Sequence, residues 1–372
     1  MTDAAAEPTG TRLTGHSGLS AEINANGSLR RFDCGDTSLL LFVGNELEGG
    51  PANLYLRTLG DSGDCTPLLG PRSPTRFELD GKSGRFRGAG SWQGVDYALE
   101  LVLSQTAASW FWHVQLANRS ARTQVLDLTY AQDLALAPYG AVRMNEFYVS
   151  QYVDHTPLSH PARGVVIASR QNQAADGRHP WCIVGSLRKG ASFATDALQL
   201  HALALRAGSA ERQLAAELPN RRLQHEHSMV VVRDTPIRLE PNASASGGFF
   251  GGFVADHPEP TSDADLERVA TIIELREAKR DTSSSPGASR RVEAVSLFGA
   301  APLLGARDLS DDELRTLFPA PWRHEERDER GALLSFFHGA DRHVVLRAKE
   351  LRVLRPHGHL LRTGRHLTPD ET

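Results

Sequence analysis

The stretch DYALELVLSQTAASWFWHVQLAN, Asp96 to Asn118, alternates apolar and other residues in steps of two. Tyr97, Leu99, Leu101 and Leu103 fall on one side of an extended chain, and Trp110, Trp112, Val114 and Leu116 repeat the pattern. Successive side chains of a strand point to opposite faces. Each run therefore predicts a strand whose apolar face buries against a second sheet. TSLLLFVGN and QVLDLTYAQ read similarly, and PIRLEPNASASGGFFGGFV reads as two strands joined by a small-residue turn. From Leu13 to Val254 such runs are punctuated by Gly, Pro, Asn and Asp, which predicts a large antiparallel sandwich in place of βαβ units.

The pattern changes after Asp256. In PTSDADLERVATIIELREAKR, Ser262 is a candidate N-cap with Asp265 three residues on, and Leu266, Val269 and Ile273 follow at helical spacing. DTSSSPGAS, residues 281–289, is a Ser/Pro/Gly-rich break. DLSDDELRTLF then offers a second capping box, Ser310 and Glu313, ahead of Leu314 and Leu317. Strand-like runs return from Arg330 to Leu367, and between Arg342 and Arg365 seven Lys or Arg face the single acid Glu350. The expected organisation is a disordered start over 1–12, a sandwich over 13–258, a helical linker region over 259–329 and a small β segment over 330–372.

At 372 residues, a prior of roughly 150 per domain allows two or three domains, and the core can be large. A formal net charge of -4 gives no general attraction to nucleic acid or anionic lipid. MTDAAAEPTG lacks the basic start and apolar run of a signal peptide, and no stretch reaches the roughly 20 apolar residues of a membrane span. The expectation is a cytoplasmic protein with no membrane and no nucleic-acid partner. Cys34, Cys65 and Cys182 are too few and too scattered for a disulfide framework or a metal knuckle, and are expected to be reduced thiols.

The densest chemistry lies between Asn145 and Asp196. NEFYVSQYVDHTPL supplies Asn145, Glu146, Tyr148, Gln151, Tyr152, Asp154 and His155, and SRQNQ adds Arg170, Asn172 and Gln173. Amides and carboxylates suit the hydroxyls of a pyranose, while an aromatic ring covers its C–H face. These ten residues are the candidate substrate-binding set, in a loop expected to face carbohydrate. The plainer alternative is that they satisfy backbone groups of long connections between strands. Glu146 and Asp154 form a candidate acid and base pair only if their separation in space permits it.

In RRLQHEHSMVVVRD, His225 and His227 would share one side of a strand with Glu226 opposite. A catalytic zinc needs three protein ligands and no third is evident, so hydrogen-bonded histidines are expected there and no metal. No phosphate-binding GxxxxGK[ST] and no GxSxG elbow occurs, and no cofactor is expected.

Taken together, FDCGDTSLLLFVGNELEGGPANLYLR, LTYAQDLALAPYGAVRMNEFYVSQYVDHTPL, ASRQNQ, HPWCIVGSL, ASFATDALQL, RRLQHEHSMVVV and SLFGAAPLLGARDLSDDELRTLF resemble the N-terminal part of glycoside hydrolase family 94 phosphorylases. The resemblance is nearest to the 1,2-β-oligoglucan phosphorylase type, related to the phosphorylase-like region of cyclic β-1,2-glucan synthases. It implies a mainly β chain: a super-β-sandwich related to the galactose-mutarotase fold, then a helical linker, then an (α/α)6 barrel carrying the aspartic general acid and the phosphate site. In such enzymes one carboxylic acid protonates the glycosidic oxygen while phosphate attacks C1 from the opposite face, giving α-glucose 1-phosphate. No residue here matches that acid, so the barrel is expected to be absent from these 372 residues and no catalytic residue is assigned.

Two readings follow. In one, the chain is the sandwich and linker portion of a glycoside phosphorylase acting on β-glucan oligosaccharide. It would have a structural and carbohydrate-binding role, be non-catalytic alone, meet a separate (α/α)6 domain or polypeptide, and form the homodimer common in that family. In the other, it is a stand-alone mutarotase-like sugar binder or aldose epimerase using His225, His227 and Glu146.

Overall fold

A computed structural model describes residues 10–45, 48–59, 63–78, 86–200, 214–223, 227–279, 310–327, 331, 333–338, 342–345, 353–354 and 360–361. The chain forms two compact units, Met1–Ser296 and Leu297–Thr372.

The two alternating runs form the antiparallel strands Val95–Leu103 and Ser109–Asn118, paired so that Trp110 opposes Leu103 and Leu116 opposes Tyr97. They belong to a 14-stranded sheet. Its order is Cys65–Pro67, Asn53–Thr58, Gln124–Asp133, Ser228–Asp234, Gly190–Asp196, Gly164–Gln171, Trp181–Ser186, Ser244–Val254, Ser109–Asn118, Val95–Leu103, Phe86–Trp92 and Arg76–Glu78. Val153–His160 pairs with Gly164–Gln171, and Ile237–Leu239 with Gln124–Asp133, off that path. A five-stranded sheet, Gly10–Thr14, Leu19–Asn24, Leu29–Cys34, Thr37–Ser38 and Ala137–Pro138, supplies Leu13, Leu19, Ala21, Ile23 and Phe32 to the same core. The class is mainly β, as the alternation predicts.

The large sheet curls. Tyr130 and Phe249 lie on strands with four others between them in the sheet, a flat spacing of about 24 Å. Their rings are nevertheless 5.5 Å apart, and the Trp110 indole N–H donates to the Tyr130 hydroxyl at 3.3 Å. The inner face is thus rolled around Trp110, Trp112, Tyr130 and Phe249. The glycines of GGFFGGF are required by this packing. A Cβ at Gly251 would stand 2.1 Å from the Trp110 ring, and one at Gly252 would stand 2.4 Å from Ile272 on the other face.

The outer face is covered in patches. Over Phe111, Phe250, Ile183 and Trp181 lies a helix whose buried residues are Val269 and Ile272. Its start is the capping box expected at Ser262 and Asp265. A turn at Arg276–Lys279 follows, held where the Glu277 carbonyl accepts from His113 Nε2 at 2.9 Å and its carboxylate from the Gln105 N–H at 3.1 Å. Over Tyr55, Ala131 and Val231 lie Ala197, Leu200, Leu214 and Leu218. An interior ion cluster fastens this second cover. Asp127 accepts from Arg57 Nε at 3.1 Å, Arg57 reaches Glu217 at 2.9 Å, and Arg233 donates to the carbonyls of Leu214 and Ala216.

Two sequence expectations are corrected. TSLLLFVGN is a strand only at Thr37–Ser38; Leu39 to Phe42 form a buried irregular segment crossing from the main core to a cluster with Ala135, Val142 and Val149. Extended pairing is replaced by one carboxylate, as Asp133 Oδ2 accepts from the N–H groups of Leu41 (2.9 Å) and Phe42. Buried backbone groups need such a partner. In the second unit, Ser310 and Glu313 do cap a helix, Asp311–Leu317, but the buried pair is Leu314 and Phe318, while Leu317 is exposed. Phe318 packs with Phe336, which stacks on Trp322 at 4.3 Å, in the three-stranded sheet Trp322–Arg327, Leu333–His338 and Arg342–Val345. The side chains of the arginine-rich run, and the 281–289 break, lie outside the described residues. The three cysteines are free and buried. No described helix is long and apolar enough to cross a membrane.

Two measurements check this account. Gly251→Ala forces a methyl into the Trp110 ring and should lower the unfolding free energy by about 2 kcal/mol in urea titrations. Asp234, fully buried, is pushed up to about 7 by burial, against the pull of the Leu128 N–H and Arg188. The folded state then holds a proton that the unfolded chain releases near 3.8. Its contribution to stability falls as pH rises between those values, by at most about 1.4 kcal/mol per pH unit. Asp234→Asn should flatten the pH dependence of stability across that window.

Candidate functional site

The stretch from Asn145 to Gln173, expected as a loop, is a short helix and a hairpin, with another short helix just before it. The helices are α1 (Tyr139–Met144) and α2 (Glu146–Ser150). Asn145 joins them: its N–H donates to the Ala141 carbonyl, and its side chain accepts from the Tyr148 N–H at 3.0 Å. An Asn at this N-cap position satisfies a donor that α2 would otherwise leave free. Val142 and Val149 anchor the pair inward on Leu41 and Phe42. The hairpin Val153–His160 and Gly164–Gln171 runs away beneath.

The structure divides the ten candidates. Asn145, Tyr148, Gln151, Tyr152, Asn172 and Gln173 are exposed, and Glu146 and Asp154 are half-buried. Tyr148 and Tyr152 meet edge to face, centroids 5.1 Å apart, and the Tyr152 hydroxyl donates to that of Tyr148 at 3.4 Å. The Tyr148 hydroxyl raises the Tyr152 phenol above its ordinary range, so that phenol is uncharged at neutral pH. Asn172 is beside them, its N–H on the Tyr152 carbonyl at 2.9 Å. Asp154 is engaged by Arg222.

The other two candidates lie inside the fold. His155 is fully buried, with Nδ1 2.8 Å from the Ser169 hydroxyl and Nε2 2.9 Å from that of Ser228. Burial drives its imidazole down to about 3, so it is a neutral interior group. Arg170 is 8 % exposed and ties its strand to the segment after Val254, donating to the carbonyls of His257 and Pro258 at 2.7 Å each. Neither reaches a ligand on the surface in this conformation.

Two features lie outside the ten candidates. Gln171, buried, donates to the carbonyls of Ala135 (3.0 Å) and Val149 (3.2 Å) and so holds α2 in place. The second is the exposure of Tyr139, Met144 and Phe147 beside the tyrosine pair; at 87 % exposed, Met144 is the barest large apolar side chain described. Amphipathic spacing over residues 139–152 could have shown the second.

His225 and Glu226 lie outside the described residues. His227 is buried, its ring 4.8 Å from Phe42. No three His, Cys, Asp or Glu among the described residues are grouped to hold a metal ion. Elsewhere, on the outer sheet face, a groove of about 450 Å³ is floored by Ala89, Ala98, Gln115, Ala117 and Ser246 with Asp96 and Arg119 at one end. None of the ten candidates lines it.

Comparison with known proteins follows this division of the chain. Residues 22–251 match the family model of the SOGP N-terminal domain, and residues 318–372 that of the glycoside phosphorylase supersandwich domain. A 1,2-β-oligoglucan phosphorylase from Listeria innocua is 30 % identical over 350 residues, which cover 92 % of this chain and 30 % of that protein. The chain therefore spans under a third of the length of that relative. Among solved structures, a bacterial glucoamylase complexed with acarbose is similar at a TM-score of 0.44 and 10 % identity, over 74 % of this chain and 36 % of that one. A galactose mutarotase related enzyme from Lactobacillus acidophilus is similar at 0.39 and 9 %, over 67 % and 99 %. Likeness at that level says nothing of chemistry. The family model matches more than half of the residues, and the chain belongs to the family of the SOGP N-terminal domain.

Proposed function

We propose that this chain is the N-terminal portion of a glycoside phosphorylase acting on a β-linked gluco-oligosaccharide, and that its α1–α2 rim contacts the carbohydrate. The observation that carries the rim is the exposed Tyr148–Tyr152 pair with Asn145, Gln151, Asn172 and Gln173 beside it. Two aromatic rings offer apolar area to the C–H face of a sugar at small entropic cost, and the amides match hydroxyls as donor and acceptor. The relative's printed activity supports the oligoglucan as substrate class. The order of the two family models supports a scaffold role for the first unit.

In this reading the groups that protonate the glycosidic oxygen and bind phosphate belong to an (α/α)6 catalytic domain, on this polypeptide or another, and the 372 residues alone do not turn over substrate. The whole assembly is proposed to be a cytoplasmic homodimer. No observation favours the epimerase reading. His227 is buried against Phe42, and Glu146 sits in the first turn of α2.

Titration calorimetry with a β-1,2-linked gluco-oligosaccharide tests the rim. Tyr148→Ala and Tyr152→Ala should each weaken binding about 3- to 10-fold with unchanged folding. Affinity indifferent to both substitutions removes the rim from the proposal. The isolated chain, supplied with oligoglucan and phosphate, should release no glucose 1-phosphate; measurable release would overturn the scaffold role.

A further inference from the structure

Two of the exposed rim amides are held in one sense. Asn172 Oδ1 accepts from the guanidinium of buried Arg170, whose other two nitrogens donate to the carbonyls of His257 and Pro258 at 2.7 Å each. A guanidinium donates and never accepts. Turning the Asn172 amide over would therefore set its N–H groups against those of a buried cation. Asn145 is fixed by a different donor. Its Oδ1 accepts from the Tyr148 N–H at 3.0 Å, the contact that caps α2, and a backbone N–H likewise cannot accept.

With both oxygens engaged inward, each side chain is left with its Nδ2 to offer. Asn145 and Asn172 are exposed, and neither Nδ2 has a hydrogen-bond partner among the described residues. Each is tied to one member of the tyrosine pair, Asn145 through the Tyr148 N–H and Asn172 through its own N–H on the Tyr152 carbonyl at 2.9 Å. Gln151 and Gln173 are different: among the described residues no partner selects one end of their exposed amides. Buried amides spend their N–H groups inside, as Gln171 does on Ala135 and Val149, and Asn118 on the carbonyls of Arg122 (2.7 Å) and Leu239 (3.0 Å).

Resting on the carbohydrate reading of the rim, we propose that Asn145 and Asn172 are specificity-determining residues that meet the oligosaccharide as donors only, each Nδ2 giving its protons to lone pairs of sugar oxygens. A freely turning amide accepts as readily as it donates. These two are set in advance, so binding does not have to order them. A ligand that presents donors at the same two places would face N–H with N–H and leave both groups unpaired.

Aspartate substitution separates this recognition from the structural role of the same residues. Asp caps a helix as well as Asn and pairs with Arg170 at least as strongly, so the inward oxygen is kept while the outward amide becomes a carboxylate oxygen. In Asn145→Asp and Asn172→Asp the urea midpoint should hold or rise. Calorimetric affinity for a β-1,2-linked gluco-oligosaccharide should fall about 5-fold or more in each. Asn145→Ser keeps a capping oxygen and removes the outward amide without adding charge, and should lose affinity to a similar degree. On titration with the sugar, the side-chain N–H resonances of Asn145 and Asn172 should move while those of buried Asn118 stay in place. Undiminished affinity in both Asp variants, or full affinity in Asn145→Ser, overturns donor recognition and leaves the tyrosine contact standing. No binding by the unsubstituted chain removes the rim reading and this inference together.

Discussion

The first unit depends on the curl that brings the Ser244–Val254 and Gln124–Asp133 strands face to face across the core. Without it, Trp110 could not reach the Tyr130 hydroxyl, and the inner face of a 14-stranded sheet would meet water. Packing on both faces of the Ser244–Val254 strand needs the glycines at 251 and 252, since indole and Ile272 occupy the space a side chain would take on the two faces. A rolled sheet converts one long apolar face into an interior and leaves the other to be covered piecemeal.

That piecemeal cover explains the distribution of polar residues. Where a helix or a connecting segment lies on the outer face, polar groups are drawn inside and paired: Arg57 and Arg233 with Asp127 under residues 214–217, and His257 with Asp265 at the start of the Leu266–Glu274 helix. Removing one partner of such a pair would strand the other away from water. Where no segment lies on it, the face carries Ala, Ser and Gln and forms the shallow groove. The rim is different again. It stands on the Leu41–Phe42 segment, which is held by Asp133, and on Gln171, so its exposed tyrosines are presented by buried hydrogen bonds.

This division of labour is what the proposed scaffold role calls for. Rigid strands and pinned connections fix the position of a surface, while the surface itself carries rings and amides without a poised acid, base or nucleophile among the described candidates. The chain belongs to the family of the SOGP N-terminal domain, and the proposed function gives the rim a physical role within it.

Much of the architecture was legible in local pattern. Period two along Asp96–Asn118, the strand pair from Ile237 to Val254 and both Ser-led capping boxes follow from backbone geometry that acts within a few residues. The ten candidate residues were chosen for side-chain chemistry, and chemistry alone did not separate surface Tyr152 from interior His155, or exposed Asn172 from Arg170 two residues earlier. That choice rests on partners far along the chain: Ser228 for His155, Pro258 for Arg170, and Asp133 for the irregular Leu41–Phe42 segment. Alternation and capping are short-range steric and hydrogen-bonding preferences, so the amino-acid order alone determines them. Whether a polar group faces water or an interior partner depends on which distant strands the curl brings together, and only the tertiary structure decides that.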